Sequence, residues 1–191
     1  MKVVKILTLG VLLSISYQCK EVKKEVNAAE TEIKAVVEEV LPKTLNVTLE
    51  PKSDTNVSGE ITFTEANGEV KMVATISGLT PGEHAIHIHE KADCSAADGT
   101  STGGHWNPTF SAHGKWGATE GYHKGDIGNF TADADGNGKV EFATDEWCIG
   151  CGEDTKDITG KGVIVHQGVD DFVTQPTGAA GGRVSCAGLI L

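Results

Sequence analysis

Three of the chain's seven histidines fall within the stretch "GEHAIHIHE", residues 82–90. Side chains alternate sides along an extended backbone, so His87 and His89 share one face while Ile86 and Ile88 share the other. The isoleucines can enter a core. The histidines are left side by side on the outer face, where two imidazoles can bind one metal. His84 has the opposite parity and is the weakest ligand candidate of the three. A lone His-x-His is a weak signal, but it is not alone. The stretch "GGHWNPTFSAHGKWGATEGYHKGDIGN" supplies His105, His113, His123 and Asp126, the last two spaced His-x-x-Asp. Three imidazoles and a carboxylate make a closed tetrahedral zinc set. "GVIVHQG" places His166 at the end of an apolar run. Six histidines and one aspartate are too many for a single zinc.

These residues need a rigid frame, and the chain from Leu45 onward reads as one. "LNVTLE", "VSGEITF" and "VKMVATI" alternate apolar and polar residues. The second and third are joined through Asn67-Gly68, a strong hairpin signal. Further strands are expected at 84–89, 127–132, 139–143, 162–167 and 183–190. Eight short strands with turn-rich connections predict an all-β sandwich or flattened barrel. Two long connections, about 90–125 and 168–182, are expected to be functional loops.

The first part of the chain differs. Lys2 and Lys5 precede the apolar run Ile6–Ser16, so residues 1–18 read as an export signal. Cys19 follows directly and is a candidate for lipid attachment, although Tyr17 and Gln18 depart from the small residues usual before such a cysteine. Residues 19–44 then form a charged tether. In it Val22, Val26, Ala29, Ile33, Val36 and Val40 have heptad spacing, ended by Pro42. So short a helix is marginal alone in water, and a mobile or partly helical tether is expected. Residues 45–191 are left as a single domain.

The formal net charge is −11, with Arg183 the only arginine. That argues against a nucleic-acid binder, which needs a basic face. Of the five cysteines, Cys94, Cys148, Cys151 and Cys186 remain if Cys19 carries lipid, an even number that an oxidising compartment can pair. Export to the periplasm or cell envelope is expected, with membrane contact only through a lipid on Cys19.

The segments "HAIHIHEKADC", "GGHWNP", "SAHGK", "HKGDIGN", "VIVHQGVDD" and "GGRVSCAGLI" stand in an order that resembles the copper/zinc superoxide dismutases, closest to their bacterial secreted branch. The resemblance covers about residues 45–191. It implies an eight-stranded Greek-key β-barrel, an immunoglobulin-like sandwich with two long functional loops. It also implies copper on His87, His89, His105 and His166, and zinc on His105, His113, His123 and Asp126, with His105 bridging both metals. His84 matches a brace between loops. Asp170 matches an aspartate that links copper and zinc ligands by hydrogen bonds. Cys94 and Cys186 match a disulfide between the metal loop and the last strand. Thr177 and Arg183 match channel walls beside copper. The implied activity is dismutation of superoxide to oxygen and hydrogen peroxide. The donor sets agree with it, since all-imidazole ligation suits Cu(II) and a carboxylate among imidazoles suits zinc. A non-enzymatic copper-binding or copper-delivery protein on the same barrel is the alternative. A homodimer remains open.

Two motifs lie outside that frame. "DADGNG", Asp133–Gly138, mimics the start of a calcium loop, but its twelfth position is Thr144 rather than glutamate, so a turn between strands is expected. "WCIGC" contains Cys148 and Cys151, for which a local disulfide is expected, with a reactive or metal-binding dithiol as the other reading.

Overall fold

The computed structural model describes residues 41–191, with Lys23, Lys24 and Val26 ahead of them. The signal segment, Cys19 and the rest of the tether lie outside the described residues. Eight strands follow in order: β1 (Lys43–Pro51), β2 (Ser58–Ala66), β3 (Glu69–Ser77), β4 (Gly82–His89), β5 (Gly128–Ala132), β6 (Gly138–Thr144), β7 (Gly162–His166) and β8 (Arg183–Gly188). All are antiparallel to their neighbours and close into a barrel in the order β1-β2-β3-β6-β5-β4-β7-β8. β7 returns to pair with β4 rather than with β6, a Greek-key crossing.

Side-chain parity explains the barrel wall. In β3, Val70, Met72, Ala74 and Ile76 point inward and are buried, while the residues between them face out. Each fully buried large aliphatic or aromatic side chain contributes about 1.5–3 kcal/mol relative to exposure. The β2–β3 hairpin turns at Asn67-Gly68, where both residues have positive φ, the condition of the tight turn that matches strand twist. Asp133–Gly138 is also a turn, between β5 and β6. The Asp133 carboxylate accepts the backbone N–H groups of Asp135 and Asn137 at 2.9 and 2.8 Å.

β4 and β7 depart from simple alternation. From His84 onward every residue of β4 is buried, and so is all of β7. Ile86 and Ile88 face the barrel core. His87 and His89 stand on the outer face, as parity requires, yet they are fully buried. Residues 90–127 and 167–182 fold back over that face and cover it. Backbone bonds lace the first loop to β4. Ile88 N–H donates to Gly125 O at 2.9 Å, and Trp106 N–H donates to Ile88 O at 2.8 Å. A side chain at Gly125 would collide with the β4 backbone, so this close approach requires glycine. The second loop is held through Ala85 N–H, which donates to Gly168 O at 2.8 Å.

Cys94 is bonded to Cys186, joining the first loop to β8, and Cys148 is bonded to Cys151 within the connection 145–161.

Candidate metal centre

Two groups of ligand atoms converge beneath the loops. His87, His89, His105 and His166 form one, and His105, His113, His123 and Asp126 form the other, each with its ligand atoms within 4.8 Å of one another. All seven residues are buried. β4 carries His87 and His89, the end of β7 carries His166, and the first loop carries the rest. His105 is brought beside His89 by a bridge between their backbones, and its ring lies 4.0 Å from that of His87, centroid to centroid.

The hydrogen bonds of these rings are arranged one-sidedly. His87 Nε2 lies 2.9 Å from Asp170 Oδ2, and His113 Nε2 lies 2.9 Å from Asp170 Oδ1. His89 Nδ1 lies 3.0 Å from Gly103 O. His105 Nδ1 lies 2.8 Å from Asp126 Oδ1. The opposite nitrogens have no hydrogen-bond partner: Nδ1 of His87, His113 and His123, and Nε2 of His89, His105 and His166. Nδ1 of His113 and His123 lie 3.0 and 3.3 Å from Asp126 oxygens, but without hydrogen-bond alignment.

An unsatisfied buried polar group costs roughly 1–3 kcal/mol. Six of them would rival the whole stability of a domain, about 5–15 kcal/mol. A fold that buries six such nitrogens, five of them on rings held by a bond at the opposite nitrogen, is built to receive metal ions. The donor chemistry agrees: four imidazoles suit copper, and three imidazoles with a carboxylate suit zinc.

The electrostatics keep the lone pairs of His89, His105 and His166 available. Burial pushes His89 and His166 well below the ordinary histidine value, and neighbouring imidazoles add to this. Burial likewise lowers His105 to about 4, against the opposing pull of Asp126. Burial also disfavours charge on His113, but the Asp126 and Asp170 carboxylates outweigh it and raise that ring to about 9. Asp126 and Asp170 themselves are held far below the carboxylate range despite burial, because imidazoles donate to them.

A family model for copper/zinc superoxide dismutase matches residues 57–189. The chain belongs to the copper/zinc superoxide dismutase family. A superoxide dismutase [Cu-Zn] from Caulobacter vibrioides is 38% identical over 133 residues, 68% of this chain and 76% of that protein. Among solved structures, the clock protein EA4 is 34% identical with a TM-score of 0.67, covering 78% of this chain and 96% of its own. A double mutant of a SOD-like protein from Bacillus subtilis is 32% identical with a TM-score of 0.68, covering 76% and 97%. Copper and zinc are thus the cofactors of the copper/zinc superoxide dismutase family to which these ligand sets belong.

His84 is not in either set; its Nδ1 lies 3.0 Å from His166 O and its Nε2 lies 2.8 Å from Thr80 O. Arg183 donates from Nη1 to Gly99 O and Thr102 Oγ1 at 2.8 and 2.9 Å, and from Nη2 to Gly103 O at 2.8 Å. Thr177 is half-buried in the second loop, next to Gly178. Lys124 is engaged by Glu146.

Several supporting residues escaped sequence reading. Gln175 brackets His113, accepting from its N–H at 2.8 Å and donating to its carbonyl at 2.9 Å. Asn129 holds the backbone of Asp170 at 2.8 Å on both sides. Gly178 sits against the Asp170–His113 bond, where any side chain would displace it. No local spacing marks these residues, because each acts on a group far away in the chain.

A pH dependence follows for the metal-free protein. His105 is lowered from 6.5 to about 4, so the unfolded chain takes up that proton first. Its contribution to stability is fully present above pH 6.5 and is lost as pH falls toward 4. His89 and His166 act in the same direction. His113 acts in the other window: its contribution is full below 6.5 and is lost as pH rises through about 9. Urea unfolding of metal-free protein should therefore give a lower midpoint at pH about 4.5 than at pH about 7. An unchanged or higher midpoint at the acid value would contradict the assignment of His89, His105 and His166 as buried and neutral.

Proposed function

We propose that the chain dismutates superoxide to oxygen and hydrogen peroxide, with copper held by His87, His89, His105 and His166 and zinc by His105, His113, His123 and Asp126. The observation that carries this reading is the set of six buried, unpartnered imidazole nitrogens divided between two groups that share His105. Bound copper supplies a one-electron couple that oxidises one superoxide and reduces the next, while zinc stays at one charge.

The protein's own part is orientation, charge and a proton. Asp170 takes one ring nitrogen from each group, fixing both rings and leaving their other nitrogens to the metals. His105 has Nδ1 fixed against Asp126 and Nε2 free, so Nε2 is the atom at which this ring would take up a proton and pass it to the reduced substrate. Arg183 and His89 bond the same Gly103 carbonyl, which keeps a permanent cation beside the copper group. Superoxide is an anion and the chain is acidic, so this local cation is its docking and steering group. A copper carrier without activity would be expected to lack a ligand or the channel arginine, and this chain has them all.

The test is superoxide consumption by purified protein, with copper and zinc counted in the same sample. His105→Ala should lower activity by at least about tenfold, the scale on which perturbing a metal site acts, and should change the copper spectrum. Full activity with an unaltered spectrum would sink the bridging role.

Arg183→Ala should retain both metals and lower the second-order rate, with Arg183→Lys keeping part of it. The salt dependence should also change, since a local attraction screened over about 8–10 Å at 0.1–0.15 M salt is gone. A full rate for Arg183→Ala across that range would remove the steering role.

The protein is proposed to be exported, supported by its two disulfides, and to be tethered through a lipid on Cys19. Cys19→Ser should move it from the membrane fraction to the soluble one. Wild-type protein found soluble and without lipid mass would refute the anchor.

A further inference from the structure

The CIGC motif plays no part in the function proposed above, yet it adjoins the zinc group. Residues 113–126 carry His113, His123 and Asp126, and also Trp116, Tyr122 and Lys124. The segment just before the motif grips all three of the latter. Trp147 Nε1–H donates to Lys124 O at 2.9 Å. Glu146 accepts the Tyr122 hydroxyl at 2.6 Å and also engages Lys124. Trp147 meets Trp116 edge-on at 5.7 Å, and both contact Phe142 of β6, at 5.0 and 4.8 Å. Trp147 is 2% exposed and Ile149 is 1% exposed, so the segment is anchored on both sides of Cys148.

The two disulfides differ in access. Cys186 is fully buried at the Cys94 bond, whereas Cys151 is exposed. Glu153 N–H points at Cys151 Sγ from 3.4 Å, a donor that favours a thiolate there.

We propose that Cys148–Cys151 is a thiol–disulfide exchange site for a dithiol reductant, and that its closed state clamps Trp147 and so retains zinc. This rests on the zinc assignment above. In the exchange, one thiolate of the reductant bonds to Cys151 Sγ and the Cys148–Cys151 bond breaks, releasing Cys148 as a thiolate that takes a proton. The reductant's second thiolate then bonds to its first sulfur, releasing Cys151 as a thiolate beside the Glu153 N–H. The dithiol loses two electrons and two protons; the protein disulfide gains both electrons and, with Cys151 left as a thiolate, one proton, the other passing to solvent. The freed cysteines no longer hold the turn closed next to Trp147, and the zinc segment loses a rigid neighbour.

The experiment uses metal-loaded protein and follows zinc transfer to a chromogenic chelator, with dithiothreitol as the reductant. Brief dithiothreitol treatment should expose Cys148 and Cys151 to alkylation before Cys94 and Cys186, and zinc release should accelerate by about tenfold, the lower range for losing support of a metal ligand. Cys148→Ser with Cys151→Ser should release zinc at the accelerated rate without reductant. Trp147→Phe keeps the disulfide but removes the bond to Lys124 O, and should also speed release. Zinc uptake with the same release rate in oxidised, reduced and variant proteins would overturn the clamp alone. Reduction of Cys94–Cys186 first would overturn the exchange site. A wild-type chain that takes up no zinc would overturn the zinc assignment and the clamp with it.

Discussion

Asp170 accepts hydrogen bonds from rings on both sides of the centre, and the geometry of the site depends on that one carboxylate. Its two oxygens each lie 2.9 Å from an Nε2, one on His87 and one on His113. An imidazole has two nitrogens on opposite edges, so fixing one edge aims the other. A carboxylate 1% exposed cannot turn to water, and its charge is sustained by the rings it orients. The protein supports it in turn, with Asn129 holding its backbone and Phe172 N–H donating to Oδ1 at 2.7 Å. Gly178 leaves room for the bond to His113, and its positive φ of 67° suits a residue without a side chain.

The barrel's contribution is a flat, rigid wall on which loops can be laid. β4 is buried on both faces, one by the apolar core and one by loops, so its backbone is fixed from both sides. The first loop approaches that wall closely enough to exchange backbone hydrogen bonds with Ile88 and Glu90. His105 and Asp126 are neighbours of the bonded residues Trp106 and Gly125, and their positions follow from the lacing. Long loops ordinarily carry mobility, but this one is tied down at its contacts with β4, at the Cys94–Cys186 bond and at the Trp147 cluster.

Charge is divided by scale. The whole chain is acidic, with a net charge of −11, which favours solubility and repels anions at long range. Close to the centre, the permanent cation is Arg183, and its guanidinium is held by three acceptors on the first loop. The same carbonyl of Gly103 that it bonds also orients His89, so the guanidinium and that ring rest on one backbone group.

Much of this was legible in the sequence. Alternating residues and short apolar runs between turns located all eight strands to within a few residues, because both are local properties of extended backbone. The donor atoms were legible too, since imidazole and carboxylate are rare in such density without a metal to bind. Parity also placed His87 and His89 on one face, but it could not reveal that the face would be buried. That was decided by loops whose contacts reach far along the chain, 83 residues between His87 and Asp170. Tertiary structure alone decided which nitrogen of each ring is free, since that depends on acceptors such as Gly103 O and Asp170, distant in sequence from the rings they orient. It also decided that Trp147 packs against Trp116 and bonds Lys124 O. Sequence order determines which chemical groups are available and which side of a strand they occupy; long-range packing determines which of their atoms meet.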